Sequence, residues 1–220
     1  MKKKYIITNI KSKGNIPIIG SLAWSAISKW FIKSSLMIYL QKYQYVLTVT
    51  NKNKRDNIIL IGFMGSGKST IGKKLSKMLN MEFIDTDKYI EHHTGKEVKE
   101  LFDQYGEDYF RQQEKKLIID LKDAQNTIIA TGGGMPCNPE ILAQLKDLGS
   151  IFYLKLGIDK LYNRISKDKE RPVALDKPKR ALADLLKNRL QYYLQADHTI
   201  MAYKSPTEIC QRIIKSSKSN

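Results

Sequence analysis

Gly62-Phe63-Met64-Gly65-Ser66-Gly67-Lys68-Ser69-Thr70 fills every fixed position of the phosphate-cradling pattern G-x-x-x-x-G-K-[ST]. Its flanks say what it joins. Asn57-Ile58-Ile59-Leu60-Ile61 ahead of it is a short apolar, β-branched run, and Ile71, Leu75, Met78 and Leu79 behind it recur at the spacing of one helix face. The loop therefore leads from a buried strand into a helix N-terminus. A triphosphate there must be approached by several backbone N–H groups at once, and a Cβ on the inner side of the loop would block them; Gly62, Gly65 and Gly67 have none. The unpaired amides and positive dipole end of the following helix add to the attraction. Lys68 brings a mobile charge to the β and γ oxygens, and the Ser69 hydroxyl is placed to ligate Mg²⁺. Gly65, Ser66, Gly67, Lys68, Ser69 and Thr70 are thus the expected nucleotide cradle.

The chain has 220 residues and is 42% hydrophobic, enough for one good core and something extra. The extra piece shows in the charge. Residues 1–55 hold ten Lys, one Arg and no Asp or Glu, so they carry 11 of the 16 net positive charges; the remainder has 27 basic and 22 acidic groups, a net of +5. The high pI belongs mainly to this leader, so no basic face for nucleic acid is expected on the folded domain. Met1-Lys2-Lys3-Lys4 followed by the apolar stretch from Ile16 to Ile27 has something of a secretory signal, and the acid-free composition something of a transit peptide. Neither fits well. Pro17 and Gly20 interrupt the run, Lys29 and Lys33 keep it short of the roughly 20 residues of a membrane span, and Lys dominates where transit peptides favour Arg. Residues 1–55 are read as a basic N-terminal extension, poorly ordered or non-native, with a targeting or surface-binding role as the alternative. Residues 56–215 form the domain and 216–220 a polar tail. Cys137 and Cys210 make no C-x-x-C and no cluster with His92, His93 or His198, which argues against zinc or a disulfide framework and for reduced thiols in the cytoplasm.

Past the first strand and helix, Met81 to Ile84 reads as a second strand ending at Asp85-Thr86-Asp87. Helical stretches follow at Lys88 to His93, Glu97 to Tyr105 and Tyr109 to Lys122, the last with Phe110, Leu117, Ile118 and Leu121 on one face. Thr127 to Thr131 is a third strand running into Gly132-Gly133-Gly134. Pro139 to Leu148 is helical, Ser150 to Leu154 a fourth strand, Asp159 to Ser166 a helix, and the charged segment 167–179 with Pro172 and Pro178 a mobile lid candidate. Arg180 to Gln195 is helical through Leu182, Leu185, Leu186, Leu190 and Tyr193, and His198 to Ala202 is a last strand. Ser205-Pro206-Thr207-Glu208 is a capping box opening a helix through Ile213. Strands separated by helices predict an α/β, three-layer parallel sheet with helices on both faces, and ligands at the carboxyl ends of its strands. The P-loop, Asp85 with Asp87, and the triple glycine all fall there.

A P-loop leaves the acceptor open. Asp85 and Asp87 at a strand end can divide two tasks, on the expectation that they point in opposite directions: one serving Mg²⁺, the other an acceptor hydroxyl. A helix N-cap is the plainer use of such a pair. Gly132-Gly133-Gly134 offers bare backbone to a small polar molecule, though glycines after strands commonly just make turns.

The P-loop, Asp85-Thr86-Asp87, Phe110-Arg111-x-x-Glu114, Gly132-Gly133-Gly134, Arg171-Pro172 and Arg189, in this order, closely resemble the shikimate kinase family from about Ile58 to Ile214, leaving out the leader. The resemblance implies a P-loop kinase fold, ATP and Mg²⁺, and transfer of the γ-phosphoryl group to the 3-hydroxyl of shikimate on the way to aromatic amino acids. It implies that Asp87 orients or deprotonates the acceptor hydroxyl and that Asp85 serves Mg²⁺ through water. Arg111 and Arg189 would grip the substrate carboxylate, a task suited to planar guanidinium forks. Glu114, one turn beyond Arg111, either holds that guanidinium or makes an ordinary surface ion pair. Gly132, Gly133 and Gly134 would present backbone to the ring. Arg171 matches the lid arginine that reaches over the phosphates, and Arg164 and Lys204 match the two sides of the adenine pocket, Lys204 standing where the family commonly has Arg. Catalysis would rest on alignment and charge neutralisation by Lys68, Mg²⁺ and Arg171, with lid closure excluding water. No nucleic-acid partner, no stable membrane association and a monomer are expected. Two rivals remain: another small-molecule P-loop kinase acting on gluconate or a nucleoside monophosphate, and a nucleotide-dependent nucleic-acid or membrane-surface binder using the basic leader.

Overall fold

A computed structural model describes residues 56–167 and 178–218. Five parallel strands, β1 (Ile58–Ile61), β2 (Glu82–Asp85), β3 (Thr127–Ala130), β4 (Ser150–Lys155) and β5 (His198–Met201), stand in the order β2-β3-β1-β4-β5. The central strand, β1, is buried along its whole length, as an all-apolar run covered on both faces must be. The chain moves to one side of β1 for β2 and β3 and to the other for β4 and β5, so the strand order reverses at β1. The crevice above that reversal is where a parallel sheet takes ligands.

The helices are α1 (Lys68–Leu79), α2 (Thr86–Thr94), α3 (Val98–Asp120), α4 (Pro139–Leu148), α5 (Ile158–Ile165), α6 (Lys179–Tyr193) and α7 (Pro206–Ser217). α1 packs on β1, β2, β3 and α7; α4 packs on β4 and α3; α5 packs against α6. The two helical stretches expected at 97–105 and 109–122 are one run in α3, broken at Gly106, whose φ of 79° and ψ of 175° are not helical. Phe110, Leu117, Ile118 and Leu121 do face the core. Met78 does not: it is exposed, because the buried stripe of α1 runs through Lys68, Ile71, Gly72, Leu75 and Ser76. At about 100° per residue, Met78 lies about a quarter turn from the centre of that stripe, just past its edge at Ile71. The lid candidate 167–179 falls almost wholly outside the described residues, as does Arg171.

Two caps and one buried side chain set the register of these elements. Ser205 and Glu208 form the reciprocal capping box of α7, with Glu208 N–H on Ser205 Oγ at 3.3 Å and Ser205 N–H on Glu208 Oε2 at 3.1 Å. Asn138 caps α4 by accepting from the amides of Glu140 and Ile141. At the amino end of the sheet, Asn57 Nδ2 donates to the carbonyls of Ala124 and Leu148, and its Oδ1 accepts from the Thr127 amide at 2.9 Å. One buried amide thereby joins β1, the entry to β3 and the end of α4.

Candidate active site

The P-loop leaves β1 and enters α1 through Gly67, which at φ 97° occupies the left-handed region that only glycine adopts without strain. It wraps one wall of a cavity of about 350 Å³ that is also bounded by Asp85, Asp87, Thr131, Gly133, Arg164 and Lys204. Lys68 is buried, its Nζ donating to the carbonyls of Gly62 and Phe63 at 2.9 and 3.1 Å. The Ser66 hydroxyl is buried with no hydrogen-bond partner among the described residues. An orphaned donor in a ring of glycine amides and a lysine suits a bound polyphosphate.

Ser69 Oγ donates to Asp85 Oδ2 at 2.5 Å. Asp85 also caps α2, Oδ1 accepting from the amides of Asp87 and Lys88. It therefore fills the plainer of the uses weighed for it, the helix cap, and in addition takes the Ser69 hydroxyl. The expectation that Asp85 and Asp87 face opposite ways is corrected: residues two apart on a strand share a face, and here β2 ends at Asp85 with Asp87 in the first turn of α2, so that both border the same cavity. A hydroxyl and one carboxylate are hard oxygen donors of the kind Mg²⁺ takes beside phosphates, and among the described residues no group of three or more His, Cys, Asp or Glu offers a fuller cage.

The triple glycine follows β3. A Cβ on Gly132 would stand 2.4 Å from Asp87 Oδ1, and one on Gly134 would stand 2.6 Å from Arg111 Nη2. On Gly133 it would lie 3.3 Å from the Met64 amide of the P-loop and 3.5 Å from Arg189 Nη1. These clearances place Asp87, Arg111 and Arg189 around one turn of bare backbone. Gly134, Arg111 and Arg189 border a second hollow, of about 630 Å³, while the neighbouring Gly133 borders the nucleotide cavity.

Arg111 is fixed by its own helix. Nη1 donates to Glu114 Oε2 at 2.7 Å, and Nε and Nη2 donate to Glu107 Oε1 at 3.1 and 2.6 Å. Glu114 is 1% exposed, so this is no surface pair. Burial pushes its carboxyl up to about 7, against the pull of Arg111. Arg189 lies over the Phe63 ring of the P-loop, 5.7 Å from its centroid. Arg164 reaches the Gly65 carbonyl with Nη1 at 3.2 Å, and Lys204 borders the nucleotide cavity at the start of α7.

The sequence profile of the shikimate kinase family matches residues 64–218. The chain belongs to the shikimate kinase family. It is 42% identical over 161 residues to a shikimate kinase of Caldanaerobacter subterraneus, covering 72% of this chain and 94% of that one. Among solved structures, the shikimate kinase of Acinetobacter baumannii in complex with shikimate superposes with a TM-score of 0.71 at 34% identity, over 76% of this chain and 94% of the other. That of Aquifex aeolicus gives 0.68 at 35% identity, over 74% and 97%. Membership of the shikimate kinase family makes the chain an ATP-dependent kinase and decides against the gluconate and nucleoside monophosphate rivals.

Three residues beside these motifs escaped the sequence reading. Thr86 Oγ1 accepts the Gly132 amide at 2.7 Å; its place between Asp85 and Asp87 was a usable signal. Thr131 borders the nucleotide cavity while its hydroxyl donates to the Leu60 carbonyl. Tyr193, counted only for its place on an apolar helix face, donates its hydroxyl to the Gly133 carbonyl.

Proposed function

We propose that the protein transfers the γ-phosphoryl group of ATP to the 3-hydroxyl of shikimate, giving 3-phosphoshikimate for aromatic amino acid synthesis. The observation that carries this reading is the turn Gly132–Gly134, against which one carboxylate, Asp87, and two guanidinium groups, Arg111 and Arg189, stand beside a P-loop. A small acid bearing hydroxyl groups has the matching chemistry. Arg111 and Arg189 hold the substrate carboxylate as charge-assisted forks, Glu114 and Glu107 keeping Arg111 aimed. Asp87 orients the attacking hydroxyl and accepts its proton. Lys68 neutralises charge on the β and γ oxygens, and Arg171, with Arg164 and Lys204 at the adenine, completes the nucleotide side. Ser69 and, through water, Asp85 would hold Mg²⁺, which would supply charge neutralisation to the phosphate oxygens.

Among the described residues no helix is long and apolar enough to cross a membrane. We place the enzyme in the cytoplasm as a monomer, since P-loop, acid turn and acceptor pocket come from one chain; sedimentation at assay concentrations checks this. The deciding experiment is ADP release with shikimate, gluconate and nucleoside monophosphates in parallel. Turnover is expected with shikimate alone, and equal or greater turnover with another acceptor ends the reading.

A further inference from the structure

The glycine turn is held from behind at two atoms. Thr86 Oγ1 takes the Gly132 N–H, and Tyr193 Oη donates to the Gly133 carbonyl oxygen at 2.5 Å. Tyr193 closes α6 and is fully buried, its ring stacked on Tyr153 of β4 with centroids 5.1 Å apart. The ring belongs to the core, and its one polar atom meets the acceptor turn and, beside it, the Arg189 guanidinium. Burial pushes the phenol up, so it stays protonated and can only donate there.

A planar trans peptide points its C=O and its N–H in opposite directions. Holding the Gly133 carbonyl toward α6 therefore turns the Gly134 N–H away from α6. Gly134 borders the hollow that Arg111 and Arg189 share, and the Arg111 fork fills the space that a Cβ on it would take. We propose that Tyr193 is a positioning residue for the acceptor: its hydroxyl sets the rotation of the Gly133–Gly134 peptide, so that the Gly134 N–H joins the two guanidinium groups as a fixed third donor to the substrate carboxylate. Arg189 lies one turn earlier on α6, so one helix carries both a direct clamp and the group that aims the backbone donor. This rests on the acceptor reading given above.

The test is steady-state kinetics on the full chain and its Tyr193→Phe variant, which keeps the ring and its stacking. Two acceptors are compared, shikimate and the analogue in which hydroxymethyl replaces the carboxylate. For shikimate the KM is expected to rise about 3- to 10-fold, the loss of one neutral hydrogen bond, with the KM for ATP unchanged. The analogue offers no anion to the Gly134 amide, so its KM should not move. An unchanged KM for shikimate, or an equal rise with both acceptors as a merely structural role would give, overturns the inference. A second measurement is independent of turnover: in ¹⁵N-glycine-labelled protein, saturating shikimate should shift the Gly134 amide, and the Phe variant should lose more than half of that shift. A parental shift in the variant overturns the inference as well. A parent that releases no ADP with shikimate overturns the acceptor reading itself, whereas an active parent with an indifferent variant overturns only the role of Tyr193.

Discussion

Glu114 is almost wholly buried, and that burial lifts its carboxyl to about 7 although Arg111 at 2.7 Å favours the ionised form. In the unfolded chain it titrates near 4.3, roughly the free side-chain value. The folded state thus holds the proton more tightly, so this group's stabilising contribution is complete below about pH 4 and is lost as pH rises toward 7. Glu114→Gln is expected to flatten the fall in urea midpoint between about pH 5 and 8; a slope identical to the parent's contradicts the assignment. The acceptor pocket makes separate demands on its neighbours. Arg111→Ala and Arg189→Ala should each raise the KM for shikimate about 30-fold, the loss of about 2 kcal/mol of charge-assisted hydrogen bonding, with ATP binding preserved. Asp87→Asn should keep nucleotide binding, read by calorimetry, and lose phosphoryl transfer. Arg171→Ala should lower kcat far more than the affinity for shikimate. Equal changes in kcat and KM across these variants would remove the division of labour between clamp, base and lid.

Among the elements, β1 is the one from which the site is built, and its position is set at the far end by Asn57. Three buried hydrogen bonds to Ala124, Thr127 and Leu148 meet on that side chain. Asn57→Ala removes all three and leaves their backbone partners short of bonds inside the fold, a cost of about 3 kcal/mol. A lower urea midpoint with kcat intact in the surviving folded fraction is the expected result, since the carboxyl ends of the strands lie at the opposite edge. α3 shows a second connection between element and site. Its break at Gly106 separates the segment around Leu101 from the one that presents Arg111 and Glu114 at successive turns toward the triple glycine. The spacing of those two residues suits one helix face, and the break leaves that face free to follow the acceptor turn.

The domain concentrates its chemistry at one edge of the sheet, whereas the excess charge of the chain lies in residues 1–55. A chain beginning at Arg55 is therefore expected to retain shikimate-dependent ADP release within about two-fold of full length, within the ordinary scatter of changes remote from a site. Loss of turnover on removal of the leader would tie it to the catalytic domain. Binding of nucleic acid or anionic vesicles that disappears with the leader, kinase activity being kept, would give the leader a task of its own.

Residue type and spacing alone determined the P-loop, the alternation of strands and helices, the capping box at Ser205–Glu208 and the set of motifs that match the shikimate kinase family. These are local signals: periodicity, glycine without a Cβ, and a lysine and hydroxyl next to a helix start. What folding decided was which distant groups meet. Asp87 and Arg111 come to lie against Gly132 and Gly134, residues far along the chain, because parallel pairing stacks the carboxyl ends of β1, β2 and β3 side by side. Glu114 acquires its raised affinity for a proton from the core closing around it, and Tyr193 its hold on Gly133 from the packing of α6 against the acceptor turn. Neither burial nor the direction of a single hydroxyl is written in spacing, since both depend on what the rest of the chain brings next to them.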